Sequence, residues 1–304
     1  MPSTPVSTLA YPIPNRLNVT LVIGVFMMAV VLLMLASYTT SILVQIMIGV
    51  IYSYLMLTNY SLLHEAAHEK LNSRKRINYC LGLLPAILFP ASLTLIMQSH
   101  AKHHQQNRSD IELFDYYYPH NNRALKFIQW YSILIGVFWF YPPLGTIIFS
   151  VIPYHRINQW FKNTTTVSAY CQNYKHADIS AIRIEFLITM LFYFVLFSVF
   201  KVELTALLIC YGFTAVNWST RQFIEHAFTQ RDLIEGSLNL HHFSWMSTIL
   251  LHRELDLNHH RQPAIPWIYL PRLTRPEDQR ISYLRQYFDL WRGPKSIQYL
   301  PASS

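Results

Sequence analysis

The sequence predicts an all-α integral-membrane protein: two transmembrane helical hairpins, giving four spans, with interfacial helices and a cytoplasmic helical cap. Three observations predict it. Residues 17–63 contain no Asp, Glu, Lys or Arg, and a crossing takes about 20 apolar residues, so this run holds two spans. Phe186–Phe200 and Leu204–Thr220 form a second apolar pair, split by Lys201-Val202-Glu203. Over the 304 residues, hydrophobic residues make up 52% and charged residues only 13%, against roughly 25% charge in a typical soluble domain.

Taken in order, residues 1–16 are an amino-terminal arm with prolines and a single charge, Arg16. The first hairpin covers 17–63, turns at Ser37-Tyr38-Thr39-Thr40, and runs directly into His64. Residues 64–184 carry two histidine clusters and interfacial segments. Within them, 69–76 is polar and net basic, whereas 77–99 is uncharged and interrupted by Pro85 and Pro90. A straight crossing by 77–99 would separate the flanking histidines by about 30 Å. If those histidines cooperate, this segment must lie in the interface or re-enter, and its prolines together with Ser92, Thr94 and Gln98 make that tolerable. Residues 127–153 are apolar but broken by Pro142-Pro143 and rich in Trp and Tyr, which favour the headgroup level. The second hairpin covers 185–220, and 221–304 is polar, basic and expected to face water. The basic segments 69–76, 154–184 and 221–304 then share one side, which the positive-inside tendency assigns to the cytoplasm. All of this makes one membrane-embedded domain.

The net charge of +8, combined with this hydropathy, points to anionic lipid rather than nucleic acid. Cys80, Cys171 and Cys210 are scattered, offering neither a disulfide framework nor a thiolate metal site. The first apolar run lacks a small-residue cleavage pattern and reads as a span rather than a signal peptide. His120, His155 and His176 are isolated and read as solvated or interfacial, and Met27, Met28 and Met34 as lipid-facing or packing residues. The tail arginines Arg272, Arg275, Arg280, Arg285 and Arg292 read as a solvated basic face, with a docking surface for an acidic electron donor or anionic headgroups as the alternative.

The histidine pattern carries the chemistry. In His64-Glu65-Ala66-Ala67-His68 and His100-Ala101-Lys102-His103-His104, the spacings of three and four place the imidazoles on shared helix faces. Five imidazoles exceed the about four ligands that close one zinc site. Glu225-His226, His241-His242 and His252 follow the second hairpin, and Asp256, His259 and His260 repeat the i, i+3, i+4 spacing with Asp in the leading place. Taken alone, HEAAH also fits a zinc metalloprotease, with Glu65 as general base; that reading leaves the other clusters unused. A non-catalytic metal or haem carrier would fit the clusters but not their spacing.

With HEAAH at 64–68, HAKHH at 100–104, RQFIEHAF at 221–228 and DLNHH at 256–260 followed by RQPAIPW, the chain resembles the integral-membrane fatty acid desaturase/hydroxylase family over about 17–271. The departure is Asp256, where the family usually has His. The resemblance implies a histidine-ligated pair of iron ions that reduces O2 and removes hydrogen from an unactivated acyl chain. Its ligands would be His64, His68, His100, His103, His104, His226, His259 and His260, with Asp256 or His252 as a further one. Gln222 would orient a ligand or hold a metal-bound water, and Glu225 and Asn258 would fix imidazole tautomers. No haem or iron–sulfur motif is fused to the chain, so electrons would come from a separate ferredoxin or cytochrome b5-like donor with its reductase. The resemblance thus implies an O2-dependent fatty-acyl desaturase, with hydroxylation or ketolation of a lipid or terpenoid as the alternative.

Overall fold

Apolar helices form the body of the protein, and where they bend is set by proline, glycine and a few buried polar side chains. The structure, a computed structural model, describes residues 11–162, 174–279 and 281–301, the side chains of 176 and 177 excepted. Cys171, Arg280, the first ten residues of the arm and the side chain of His176 lie outside the described residues.

Helix α1 (Asn15–Tyr38) buries Val22, Val25, Ala29, Leu33 and Ala36 at helical spacing, while Ile23, Met27, Met28, Val31 and Leu35 point outward. It packs along α2 (Ile42–Ala67), whose last turn carries His64. The break between them falls in the stretch expected to turn, and Gln45 Nε2 closes it by donating to the carbonyls of Ala36 (3.1 Å) and Thr39 (3.2 Å). The start of the chain is pinned as well: Tyr269 Oη donates to the Pro12 carbonyl (3.1 Å) and its ring meets Tyr11.

Helix α3 (Lys75–Leu88) and helix α4 (Leu93–Gln106) are bent by 95° to one another. Pro90 cannot continue a helix, and Ser92 caps α4 by accepting from the Leu95 N–H (3.1 Å). The elbow returns His100, His103 and His104 to the end of α2. Its carbonyls also find donors on neighbouring helices, as Asn59 Nδ2 donates to Pro85 O (2.9 Å) and Tyr211 Oη to Leu88 O (2.7 Å). At Gly82 a Cβ would stand 2.8 Å from the Ala66 Cβ, so glycine there lets α3 lie against the histidine-bearing turn of α2.

Helix α5 (Arg123–Leu134) and the segment Val137–Val151, which holds a 3-10 turn and α6 (Tyr141–Val151), form a second pair bent by 79°. The bend is at Gly136, with φ +101° and its Cα against the backbone of Ala215 and Val216, where a side chain would not fit. After α7 (Tyr154–Phe161) comes α8 (His176–Ser198), which begins well before the apolar run at Phe186 and takes Asp178, Arg183 and Glu185 into its first turns. Helix α9 (Leu204–Ser219) then packs along α2.

Among the described residues α1, α2 and Asp178–Ser198 of α8 are long and apolar enough to cross a membrane, or up to five segments if each bent pair counts as one span. At 16 residues α9 is shorter, about 24 Å.

The remainder forms the cap: α10 (Ser244–Leu250), α11 (Asp256–Arg261) and α12 (Tyr283–Leu290). Short parallel pairings tie it down, β1 (Tyr116–Tyr117) to β4 (Lys295–Ser296) and β2 (Leu240–His241) to β3 (Ile281–Ser282). Beneath α12, Trp130 Nε1 donates to Leu290 O (2.8 Å) in a small apolar cluster with Leu134, Ile224 and Tyr283.

Candidate metal centre

Four separate stretches deliver imidazoles to one place. The last turn of α2 supplies His64, with His68 at its cap. The end of α4 supplies His100, His103 and His104, and α11 supplies His259 and His260. His226 joins them from the irregular turn after α9.

Their donor atoms fall into two groups among the described residues. His64, His68, His100 and His259 have ring nitrogens within 4.8 Å of one another, and so do His103, His226 and His260. His104 lies between the groups. Its Nε2 is 3.2 Å from that of His68 and 3.1 Å from those of His100 and His259, and its ring centroid is 4.5 Å from that of His260. In the second group, Asp256 Oδ2 stands 3.2 Å from His226 Nε2 and 3.3 Å from His260 Nε2.

Hydrogen bonding does not account for this arrangement. The Nε2 atoms of His68, His100 and His104 form a triangle with sides of 2.7, 3.1 and 3.2 Å. Each nitrogen either carries a proton or does not, so in any closed triangle at least one side joins two like atoms. A cation among them removes the conflict, since nitrogens bound to one ion at about 2.0–2.1 Å stand roughly 3 Å apart. Both ring nitrogens of His64, together with Asp256 Oδ2 and His260 Nε2, are buried with no hydrogen-bond partner. Such atoms are costly to leave unpaired, and each histidine group has them: His64 in the first, His260 with the adjacent Asp256 in the second, which fits two metal sites.

Protonation states agree with this. Burial first, then the charge of Arg253, takes His68 down to about 3. Burial likewise holds His226 and His259 well below the usual imidazole range. A neutral imidazole has the lone pair a metal needs. Burial pushes Asp256 upward, but the neighbouring His260, His226 and Arg253 outweigh it, so its carboxyl is held below the usual range.

The atoms turned away from the centre are held by groups that sequence spacing did not reveal. His103 Nδ1 pairs with Glu112 Oε2 at 2.8 Å, leaving Nε2 for the second group. His226 Nδ1 faces the Gly236 carbonyl (3.4 Å) and Ser237 Oγ (3.3 Å). Glu112 lies nine residues past His103 and reaches it because Arg108, with φ +59°, reverses the chain. Arg108 is fixed in turn by a buried ion pair with Asp115 (2.8 Å) and a bond to Thr229 O (2.8 Å), which joins the second histidine cluster to the His226 turn. Partners of this kind typically govern metal affinity by 10–100-fold. Glu112→Gln is therefore expected to weaken metal retention in the second group by about that factor, read by chelator competition, with the fold intact by circular dichroism.

The candidate residues are not all in these roles. His252 is outside both groups: its ring stacks on Trp267 with planes 29° apart and centroids 6.1 Å apart, and its Nδ1 is 3.7 Å from Glu254. Between Asp256 and His252, the geometry places Asp256 with the histidines. Gln222 turns back on its own helix, donating to Trp218 O (3.0 Å). Asn258 touches no imidazole; it braces α11 instead, donating to Leu270 O (2.9 Å) and Thr274 Oγ1 (2.8 Å) and accepting from Asn239 (2.8 Å). Glu225 shows no bond to a ring either; burial and the nearby Asp256 charge push it up to about 8. Of the other histidines, His120 stacks on Tyr118, and His242 accepts from the Phe243 N–H and packs on Tyr283. Glu65 accepts from the Trp267 backbone N–H (3.2 Å), tying the first cluster to the segment after the third.

Apolar helices whose ends gather eight histidines and a carboxylate into two adjoining groups define a membrane-type helical scaffold able to hold metal ions. The family model for fatty acid desaturases matches residues 40–291, and the chain belongs to that family, which makes it an oxidoreductase of desaturase type. A search of curated proteins finds no match to it.

Proposed function

We propose that this chain is an O2-dependent lipid desaturase that uses two iron ions, one in each histidine group, to convert a CH2–CH2 unit of an acyl chain into CH=CH. Two electrons and two protons balance the reduction of O2 to two waters. The observation that carries this reading is the pair of adjoining imidazole groups, each with buried donor atoms that no hydrogen bond satisfies. The first ion would be held by His64, His68, His100 and His259, the second by His103, His226, His260 and Asp256, with His104 between them. Imidazole and carboxylate suit iron, and bound iron would supply the oxidising chemistry that a C–H bond without an acidic proton requires.

The chain's own residues do the rest. Glu112 and the Gly236 carbonyl fix which nitrogens of His103 and His226 face inward. Burial holds His68, His226 and His259 below the usual imidazole range, which keeps these three neutral. The centre at the end of α2 lies where a lipid chain in the membrane can reach it. We place α1, α2, α8 and α9 across the membrane, the two bent pairs in the interface, and the cap with its metal centre in the cytoplasm. Electrons then arrive from a separate ferredoxin or cytochrome b5-like donor and its reductase.

A zinc protease built on HEAAH is disfavoured by Glu65, which accepts the Trp267 N–H, and by the further histidines crowding His64 and His68. A hydroxylase or ketolase would use the same geometry and differs in product. Expression in a heterologous host with lipid profiling separates them. A new unsaturated acyl species that disappears in His103→Ala is expected. A new alcohol or ketone would assign hydroxylation or ketolation, and an unchanged product from His103→Ala would remove this residue from the site.

A further inference from the structure

The carboxy-terminal cap carries large apolar side chains on its outside, although its sequence is polar and basic. On α12, Tyr283, Gln286 and Leu290 are buried. The opposite side presents Leu284 (49% exposed), Phe288 (67%) and Trp291 (41%) at i, i+4 and i+7, one stripe of a helix. Arg285 and Arg292 border the stripe and are also exposed.

A second pair, Phe243 and Trp245, is stacked with ring planes 9° apart and is 58% and 56% exposed. The two sets are neighbours, because His241 pairs with Ser282 in the β2–β3 bridge and the His242 ring lies on Tyr283 with centroids 4.3 Å apart.

The level of this collar along the membrane helices is set by hydrogen bonds. Thr58 Oγ1 donates to Ile249 O (2.8 Å) and Ser61 Oγ to Leu250 O (2.7 Å), so α10 sits against α2 one to two turns below His64. That is where the apolar run of α2 ends and its polar end begins, the depth at which headgroups meet acyl chains. Tryptophan favours this layer, and basic residues flanking an apolar stripe match anionic headgroups.

We propose that Phe243, Trp245, Leu284, Phe288 and Trp291 form an interfacial collar whose partner is the bilayer surface itself, so that the cap is seated in the headgroup layer. The collar fixes the height of α11, with His259 and His260, above the membrane.

The test uses the full chain in nanodiscs containing anionic lipid, with its three native cysteines replaced and a fluorophore attached at Phe288→Cys, Trp245→Cys or, as a water-facing control, Glu277→Cys. Labels at 288 and 245 should be quenched severalfold more by lipids carrying a nitroxide near the headgroup than the label at 277, and be shielded from aqueous iodide. Hydroxyl-radical footprinting of the unmodified protein should leave Trp245, Phe288 and Trp291 unoxidised in the bilayer. Iodide access at 288 and 245 equal to that at 277, with oxidation of the native side chains, would overturn the proposal. So would protection that appears only when an acidic electron-donor protein is added, which would make the patch a protein-docking surface. Neither measurement depends on metal or activity, so the collar can fail while the desaturase reading stands, and the reverse.

Discussion

Replacing His259 with alanine is expected to remove at least one metal ion per chain and to bring product below detection. This imidazole is buried at the meeting point of the first group. Its Nε2 is 3.1 Å from that of His104, and its ring centroid lies 4.6 Å from that of His64 and 4.5 Å from that of His68. It is also the link through which the third cluster closes the site made by the first two. Its loss takes one donor from a group of four, and even a residue that only orients a ligand is worth 10–100-fold in affinity. The helix that carries it should persist, because Asn258 holds α11 through three side-chain hydrogen bonds independent of the ring. Metal content by mass spectrometry, paired with lipid profiling, reads the outcome. Full metal content with full product would exclude His259 from the centre.

Glu185→Leu is expected to be as damaging from a distance. This carboxyl group is buried in α8 and accepts four donors from the α3–α4 elbow: Thr94 N (3.0 Å), Thr94 Oγ1 (2.7 Å), Ser92 Oγ and Tyr79 Oη. Leucine leaves those donors unmatched away from water. One buried unsatisfied group costs roughly 1–3 kcal/mol, so a loss of about 3 kcal/mol or more is expected. The elbow delivers three histidines, so loosening it should lower metal content in both groups as well as the melting temperature. Glu185→Gln keeps an acceptor and should be much milder. If Glu185→Leu melts like the wild type, the elbow is held by other contacts.

Much of this was legible in the sequence because membrane helices announce themselves by length and lack of charge, and because helical spacing fixes which histidines share a face. The 95° bend was legible in outline: Pro90 marks where the chain turns, and the need for the first two histidine clusters to meet pointed to a turn within 77–99. What the sequence hid depends on chain reversal. Leu251 and His252 both adopt positive φ (50° and 58°), which turns the His252 ring toward Trp267 and leaves the place to Asp256. Glu112 was hidden for the same reason, at Arg108. Asn258 looked like a ligand's partner from its neighbours in sequence, yet on the short α11 it faces Asn239 and Leu270, where backbone groups needed it more. The start of α8 ran ahead of its apolar stretch because Glu185 has four donors waiting, so its polarity does not end the helix.

Metal analysis of the full-length protein, purified from an iron-replete host, tests the central claim most directly. Two adjoining groups of four donors predict about two irons per chain, falling to about one in His226→Ala, which touches only the second group. One zinc per chain, unchanged by His226→Ala, would contradict it.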